Sequence, residues 1–239
     1  MEKKEPVVWV TGASSGIGKA AAIEFAREGF QVAASSRHES RLRLLEKEQG
    51  SESLILHLIA CDVSSPSSVE EALSKIISRT GLEVSCLINN AGVTSFNSAE
   101  EDSVGEIKNI IETNLLGSIY AIKAVLPGMI KRKEGTIINV LSTAAVEVLK
   151  GSSAYSASKA GLRAYSDVLR EEVRKYNIKV IDILPGPTRT PMWPEEMLNK
   201  FDSNMMAPEE IARLMVSLYR NSGSLVLEKV IMKPIGGSI

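Results

Sequence analysis

The sequence predicts an α/β fold: a three-layer, doubly wound parallel sheet of about seven strands, in one domain spanning residues 1–239. Two observations carry this. Short, continuously apolar runs alternate with amphipathic helical stretches along the whole chain. The first such run, Val7-Val8-Trp9-Val10, also passes straight into a glycine-rich turn and then a helix. With 239 residues, 44% of them hydrophobic and 24% charged, the chain is long enough for one sizeable core.

Unbroken apolar character in Val7–Val10 is that of a parallel strand covered on both faces. The following helix carries Ile17, Ala21 and Phe25 on one face and should end at Gly29. Between them stands Thr11-Gly12-Ala13-Ser14-Ser15-Gly16-Ile17-Gly18, a phosphate cradle in which glycines admit close approach and the helix N-terminus offers free N–H groups. A second strand, Gln31 to Ser35, leads to Ser36-Arg37-His38. A carboxylate here would bind an adenosine ribose 2′-hydroxyl; a guanidinium suits a 2′-phosphate instead, the plainer reading being a solvated surface arginine.

A charged helix is expected from Glu39 to Gln49, then a third strand from Leu54 to Ala60 that leads to Cys61-Asp62-Val63. Ser65 before Pro66 marks the next helix start, with Val69, Leu73, Ile76 and Ile77 facing a core. A fourth strand, Val84 to Ile88, ends in Asn89-Asn90-Ala91-Gly92, small and polar where such sheets bind ligands. A long helix from Val104 to Arg132 follows, with Val104, Ile107, Ile111, Leu115 and Ile122 near one stripe. Asn114 lies within that stripe and is either a structural clamp or a site group. Pro127 should kink or loosen the last turns.

The fifth strand, Thr136 to Leu141, delivers Ser142. The helix beginning near Ser153 has a large apolar side (Leu162, Tyr165, Leu169, Val173, Tyr176) and a small-residue side (Ala157, Gly161, Ala164, Val168), as for burial against the sheet and a second subunit. Strand six, Lys179 to Leu184, ends in Pro185-Gly186-Pro187-Thr188-Arg189-Thr190. Weak patterning from Trp193 to Met206 reads as a short mobile substrate flap, at about 191–207. Pro208-Glu209-Glu210 start a last helix, closed by Gly223, and Leu225 to Met232 read as the final strand.

Net charge of −1 gives no sign of nucleic acid or membrane as a partner, and the charged start lacks the apolar core of a signal peptide. A reduced cytoplasm is expected, with Cys61 and Cys86 as small buried hydrophobes. His38 and His57 offer too few partners for a metal site.

Chemistry enters with Tyr155 and Lys159, which share one helix face at i and i+4. A free phenol has a pKa of about 10, and a neighbouring ammonium favours the phenolate. A depression of about two to three units would bring the tyrosine into range for proton transfer.

Five separated signals now stand in order: Thr11-Gly12-xxx-Gly16-x-Gly18, Asn89-Asn90-Ala91-Gly92, Asn114, Ser142 with Tyr155-xxx-Lys159, and Pro185-Gly186-xxx-Thr190. Together they resemble the classical short-chain dehydrogenase/reductase family over essentially the whole chain. The resemblance implies a Rossmann fold and an NADP(H)-dependent oxidoreductase that interconverts a ketone or aldehyde and an alcohol. Tyr155 is then the proton donor or acceptor, and Lys159 lowers its pKa and holds nicotinamide ribose hydroxyls. Ser142 stabilises the substrate oxygen, and Asn114 holds a water linking Lys159 to solvent. Gly12, Ser14, Ser15, Gly16, Ile17 and Gly18 line the pyrophosphate and ribose, and Ser36 and Arg37 stand at the 2′-phosphate. Asp62 and Val63 meet the adenine. Asn89, Ala91 and Gly92 lie along the central cofactor strand, and Pro185, Gly186, Thr188 and Thr190 contact nicotinamide and phosphate.

The chain departs from the family in ending Lys233-Pro234-Ile235-Gly236-Gly237-Ser238-Ile239, without the common Asp-Gly-Gly segment, and in its short flap. A homodimer or homotetramer is expected. The alternatives are a 3-oxoacyl-[acyl-carrier-protein] reductase and a non-catalytic dinucleotide-sensing protein. The first needs a basic rim near the pocket, for which Lys131-Arg132-Lys133 and Arg170, Arg174 and Lys175 are the candidates.

Overall fold

The computed structural model describes residues 6–48, 54–221 and 224–237. Gln49 and Gly223, the expected end of one helix and cap of another, lie outside the described residues. Seven strands, β1 (Val7–Thr11), β2 (Gln31–Ser36), β3 (Leu56–Ala60), β4 (Val84–Asn89), β5 (Gly135–Val140), β6 (Ile178–Pro185) and β7 (Lys229–Met232), form one sheet in the order β3-β2-β1-β4-β5-β6-β7. Every pairing is parallel. The order reverses between β1 and β4, which opens a crevice at their carboxyl ends.

Helices cover both faces. Helices α1 (Gly16–Arg27), α2 (Glu39–Glu48) and α8 (Pro208–Arg220) pack on Val8, Val10, Val32, Ile88 and Ile138. Helices α3 (Pro66–Thr80), α5 (Gly117–Arg132) and α6 (Ser153–Val173) pack on Val7, Trp9, Leu87, Ile137 and Val180. Successive residues of β1 thus serve opposite cores, which is why the strand is apolar throughout. Local signals agree with the ends. Ser65 Oγ accepts from Ser68 N with Pro66 in the first turn, and Gly81 closes α3 at φ +69°.

Three elements differ from the sequence reading. The long helix is interrupted: α4 (Val104–Ile110) passes through a π turn (Ile111–Leu116) into α5. A π turn holds more residues than an α turn and so rotates the stripe upstream of it. Val104 and Ile107 are accordingly 83% and 37% exposed instead of facing the core. Pro127 lies inside α5, which continues to Arg132. The run 104–132 has the length and apolarity of a membrane span, but Ala121, Ile122, Val125 and Met129 are spent on the sheet-facing core. The flap is helical, as α7 (Glu195–Phe201) and a 3₁₀ turn (Asp202–Asn204), with no residue of α7 buried. Finally, β7 starts only at Lys229, because Leu225 and Leu227 stand exposed beyond the reach of the edge pairing with β6.

Candidate active site

A cleft of about 590 Å³ opens at the carboxyl ends of the central strands. At one end the glycine-rich loop forms its floor. Gly12 has φ +66°, and a Cβ there would lie 2.7 Å from the Ala91 Cα, so only glycine lets this loop approach the end of β4. Ser14, Ser15, Gly16 and Ile17 line the cleft. Ser15, the N-cap of α1, makes no side-chain cap, and no acidic residue stands in the first turn. The first N–H groups and the positive end of the helix dipole are therefore free for an anion, and the cradle fits a dinucleotide pyrophosphate.

Gly18 is not among the lining residues. It packs beneath Asn90, whose Nδ2 would lie 2.2 Å from an added Cβ. That Nδ2 donates to Thr11 O at 3.0 Å and Gly12 O at 3.1 Å, so Asn90 staples the loop to β4 and itself lines the cleft. Asn89 is the correction here. Strand alternation turns it away from the cleft, and its Nδ2 donates to Asn139 Oδ1 at 2.9 Å in the interior. Ala91 and Gly92 line the cleft as expected of their position.

Ser36, Arg37, His38 and Arg41 gather at the end of β2. Ser36 Oγ donates to His38 O at 3.1 Å, while both arginines are exposed. Asp62 and Val63 follow β3 on the same rim; Asp62 Oδ1 accepts from Ser64 N at 3.0 Å and Ser64 Oγ at 2.8 Å. Across the cleft, Pro185, Gly186, Thr188 and Thr190 follow β6. A Cβ on Gly16 would come within 3.0 Å of Thr190 Cγ2, so the two loops nearly touch.

At the other end, Ser142 follows β5 and faces the first turns of α6. Its hydroxyl accepts from Ala144 N at 3.2 Å and lines the cleft with Tyr155. Lys159 is 4% exposed, and its Nζ donates to Val140 O at 2.7 Å. Burial pulls its pKa down to about 8. The Tyr155 phenol is pushed up by burial, against a smaller downward pull from Ser142. The phenol is thus raised in the protein alone, not depressed as the i, i+4 spacing predicts: burial sets the direction, with the ammonium 5.7 Å from the ring centre.

Asn114, fully buried, acts as a clamp. Its Oδ1 accepts from Val93 N at 2.8 Å, and its Nδ2 donates to Val93 O at 2.9 Å and to Ser158 Oγ at 3.0 Å. Ser158 Oγ in turn donates to Tyr155 O at 2.7 Å. The amide ties the loop after β4 to the catalytic-candidate helix without lining the cleft itself. Sequence reading also missed Phe96 and Trp193, whose rings stack across the cleft mouth from distant loops. Nothing local marks such a pair.

Residues 6–200 match the family model described as short chain dehydrogenase. The chain is 32% identical over 240 residues to sepiapterin reductase of Chlorobaculum tepidum, covering 98% of each. To the NADP-dependent 3-hydroxy acid dehydrogenase of Salmonella typhi it is 36% identical over 181 residues, covering 75% of this chain and 71% of that one. The closed form of serine dehydrogenase, solved with NADP+, matches with a TM-score of 0.89 at 29% identity, covering 98% and 96% of the two chains. The chain belongs to the short-chain dehydrogenase family and is an oxidoreductase.

Proposed function

We propose that this protein interconverts a ketone or aldehyde and an alcohol by NADP(H)-dependent hydride transfer, with Tyr155 giving or taking the proton. The observation that carries the reading is the joining of Ser142, Tyr155 and Lys159 to the glycine cradle within one cleft. A bound nicotinamide supplies or accepts the hydride. The chain's own residues do the rest. Ser142 donates to the substrate oxygen where negative charge develops, and Tyr155 moves a proton to that oxygen. Lys159, held by Val140 O, keeps further N–H groups for ribose hydroxyls and for the phenol. Gly12, Ser14, Ser15, Gly16 and Ile17 hold the pyrophosphate, Asp62 and Val63 the adenine, and Thr188 and Thr190 the nicotinamide side.

Ser36 and Arg37 favour the 2′-phosphate, and Arg41 adds a second guanidinium on the same rim. An NADP-dependent relative and a similar structure solved with NADP+ point the same way. The test is NADPH oxidation against a carbonyl panel, repeated with Tyr155→Phe.

A carrier-protein substrate is not favoured. None of its candidate basic residues lines the cleft, and three of them are bonded elsewhere: Arg132 to Val84 O, Arg170 to Val180 O, and Arg174 to Glu171 and Glu228. A homo-oligomer remains part of the proposal. Val104 on α4 and Val168 on α6 are 83% and 61% exposed, and Ala157 and Ala164 are also open, as a helix-to-helix subunit contact requires.

A further inference from the structure

The substrate end of the cleft carries an aromatic wall that none of these roles uses. Phe96, after β4, stacks on Trp193, after β6, with ring centres 5.0 Å apart and planes at 25°. The Trp193 indole N–H donates to Thr188 O at 3.1 Å, which holds that ring by a bond outside the stack. Phe96 stays 40% exposed, and Val148, Leu149 and Met192 on the same mouth are 94%, 40% and 41% exposed. So much open apolar surface around one concave mouth is the mark of a site for an apolar ligand.

Charge points the same way. Among the described residues lining this end, Glu147 is the ionisable group besides Tyr155 and Lys159, and it is paired with Lys233 at 2.5 Å. Arg37 and Arg41 sit at the opposite end of the cleft, beside Ser36. A substrate carboxylate would lose water here with no cation to receive it except Lys159, which is bonded to Val140 O and assigned to the cofactor ribose. An aryl group would gain both buried area and ring stacking.

We propose that the substrates are uncharged aryl ketones and the matching secondary alcohols, their ring packing on the Phe96–Trp193 wall, in preference to oxo acids. This rests on the carbonyl chemistry proposed above. It sets the chain apart from the 3-hydroxy acid dehydrogenase among its relatives.

The experiment follows NADPH oxidation with an aryl alkyl ketone, a 3-oxo acid and a small aliphatic diketone. Circular dichroism and NADPH affinity serve as fold checks. The unmodified protein should favour the aryl ketone over the 3-oxo acid by about tenfold or more in kcat/KM. Trp193→Leu and Phe96→Leu should each lower the aryl-over-diketone preference, mainly through KM for the aryl ketone. Val148→Arg, at a surface position that the fold does not need, should raise kcat/KM for the 3-oxo acid. Preference for the 3-oxo acid in the unmodified protein, or an unchanged aryl-over-diketone ratio in both wall variants, overturns the assignment even while the diketone is turned over. Binding of NADPH with turnover of none of the three would instead overturn the carbonyl reading itself, and this inference with it.

Discussion

Lys159 Nζ lies 5.7 Å from the centre of the Tyr155 ring and gives its hydrogen bond to Val140 O at 2.7 Å. Two groups of opposite charge preference are thereby held one helical turn apart in a buried site, and burial pushes each toward its neutral form. The sign of the linkage follows. Lysine has a pKa of about 10.4 in the unfolded chain, against about 8 here. Between those values the unfolded state binds the extra proton, so stability rises with pH; below about 8 the full penalty is present. A shift of this size corresponds to roughly 3 kcal/mol, less about 1 kcal/mol for the Val140 bond. Lys159→Met should therefore raise unfolding free energy at pH 7, flatten its rise above pH 8 and abolish turnover. Urea melts at several pH values check this, and a less stable variant at pH 7 would refute it.

Tyr155→Phe keeps the ring and removes the transferable proton. Turnover should fall by orders of magnitude, while the dissociation constant for NADPH barely moves. Near-normal turnover would mean that another group moves the proton.

How much of this was written in the sequence depends on the range of the interaction concerned. The strands were legible because each is apolar on both faces, and the cradle because Gly12 and Gly16 take backbone angles that few other residues accept. Asn89 and Asn90 show the limit: both are polar and adjacent, and only strand parity decides which lines the cleft. The Tyr155–Lys159 spacing was visible, but the desolvation that dominates both groups depends on what packs over them. Phe96 and Trp193 meet only through the path of two loops, and the stripe at Val104 turns outward because a π turn leaves no sequence period of its own.

The helix that presents Tyr155 is anchored by buried charge. Arg170 Nη2 lies 3.0 Å from Asp182 Oδ2, and Asn139 Nδ2 bonds Asp182 Oδ1 at 3.2 Å and Ser166 Oγ at 2.8 Å. Burial raises the Asp182 carboxyl against these bonds. Asp182→Ala would remove the fully buried partner of Arg170, leaving it only the more exposed Asp167 and Glu228, at a cost of about 1–3 kcal/mol. Its urea midpoint should drop sharply, whereas Arg174→Ala, which breaks only exposed pairs, should scarcely change it. Equal effects from the two would remove the distinction.

Cofactor choice is decided at the end of β2. Ser36, 9% exposed, donates to His38 O, while Arg37 and Arg41 extend into the cleft rim beside it. A charge-assisted contact to a phosphate contributes about 1.5–3 kcal/mol, reduced by solvent at an exposed rim. Each 1.4 kcal/mol is about tenfold, so NADPH should bind roughly ten- to a hundredfold more tightly than NADH. Arg37→Ala should weaken NADPH and leave NADH nearly untouched, and removing Arg41 as well should take away most of the remaining preference. Ser36→Asp should reverse the order, since its carboxylate repels the 2′-phosphate and accepts a ribose hydroxyl. Dissociation constants for both cofactors must be compared at one moderate salt concentration, because screening weakens exposed contacts. Equal affinities in the unmodified protein would show that these arginines face solvent and take no part in cofactor choice.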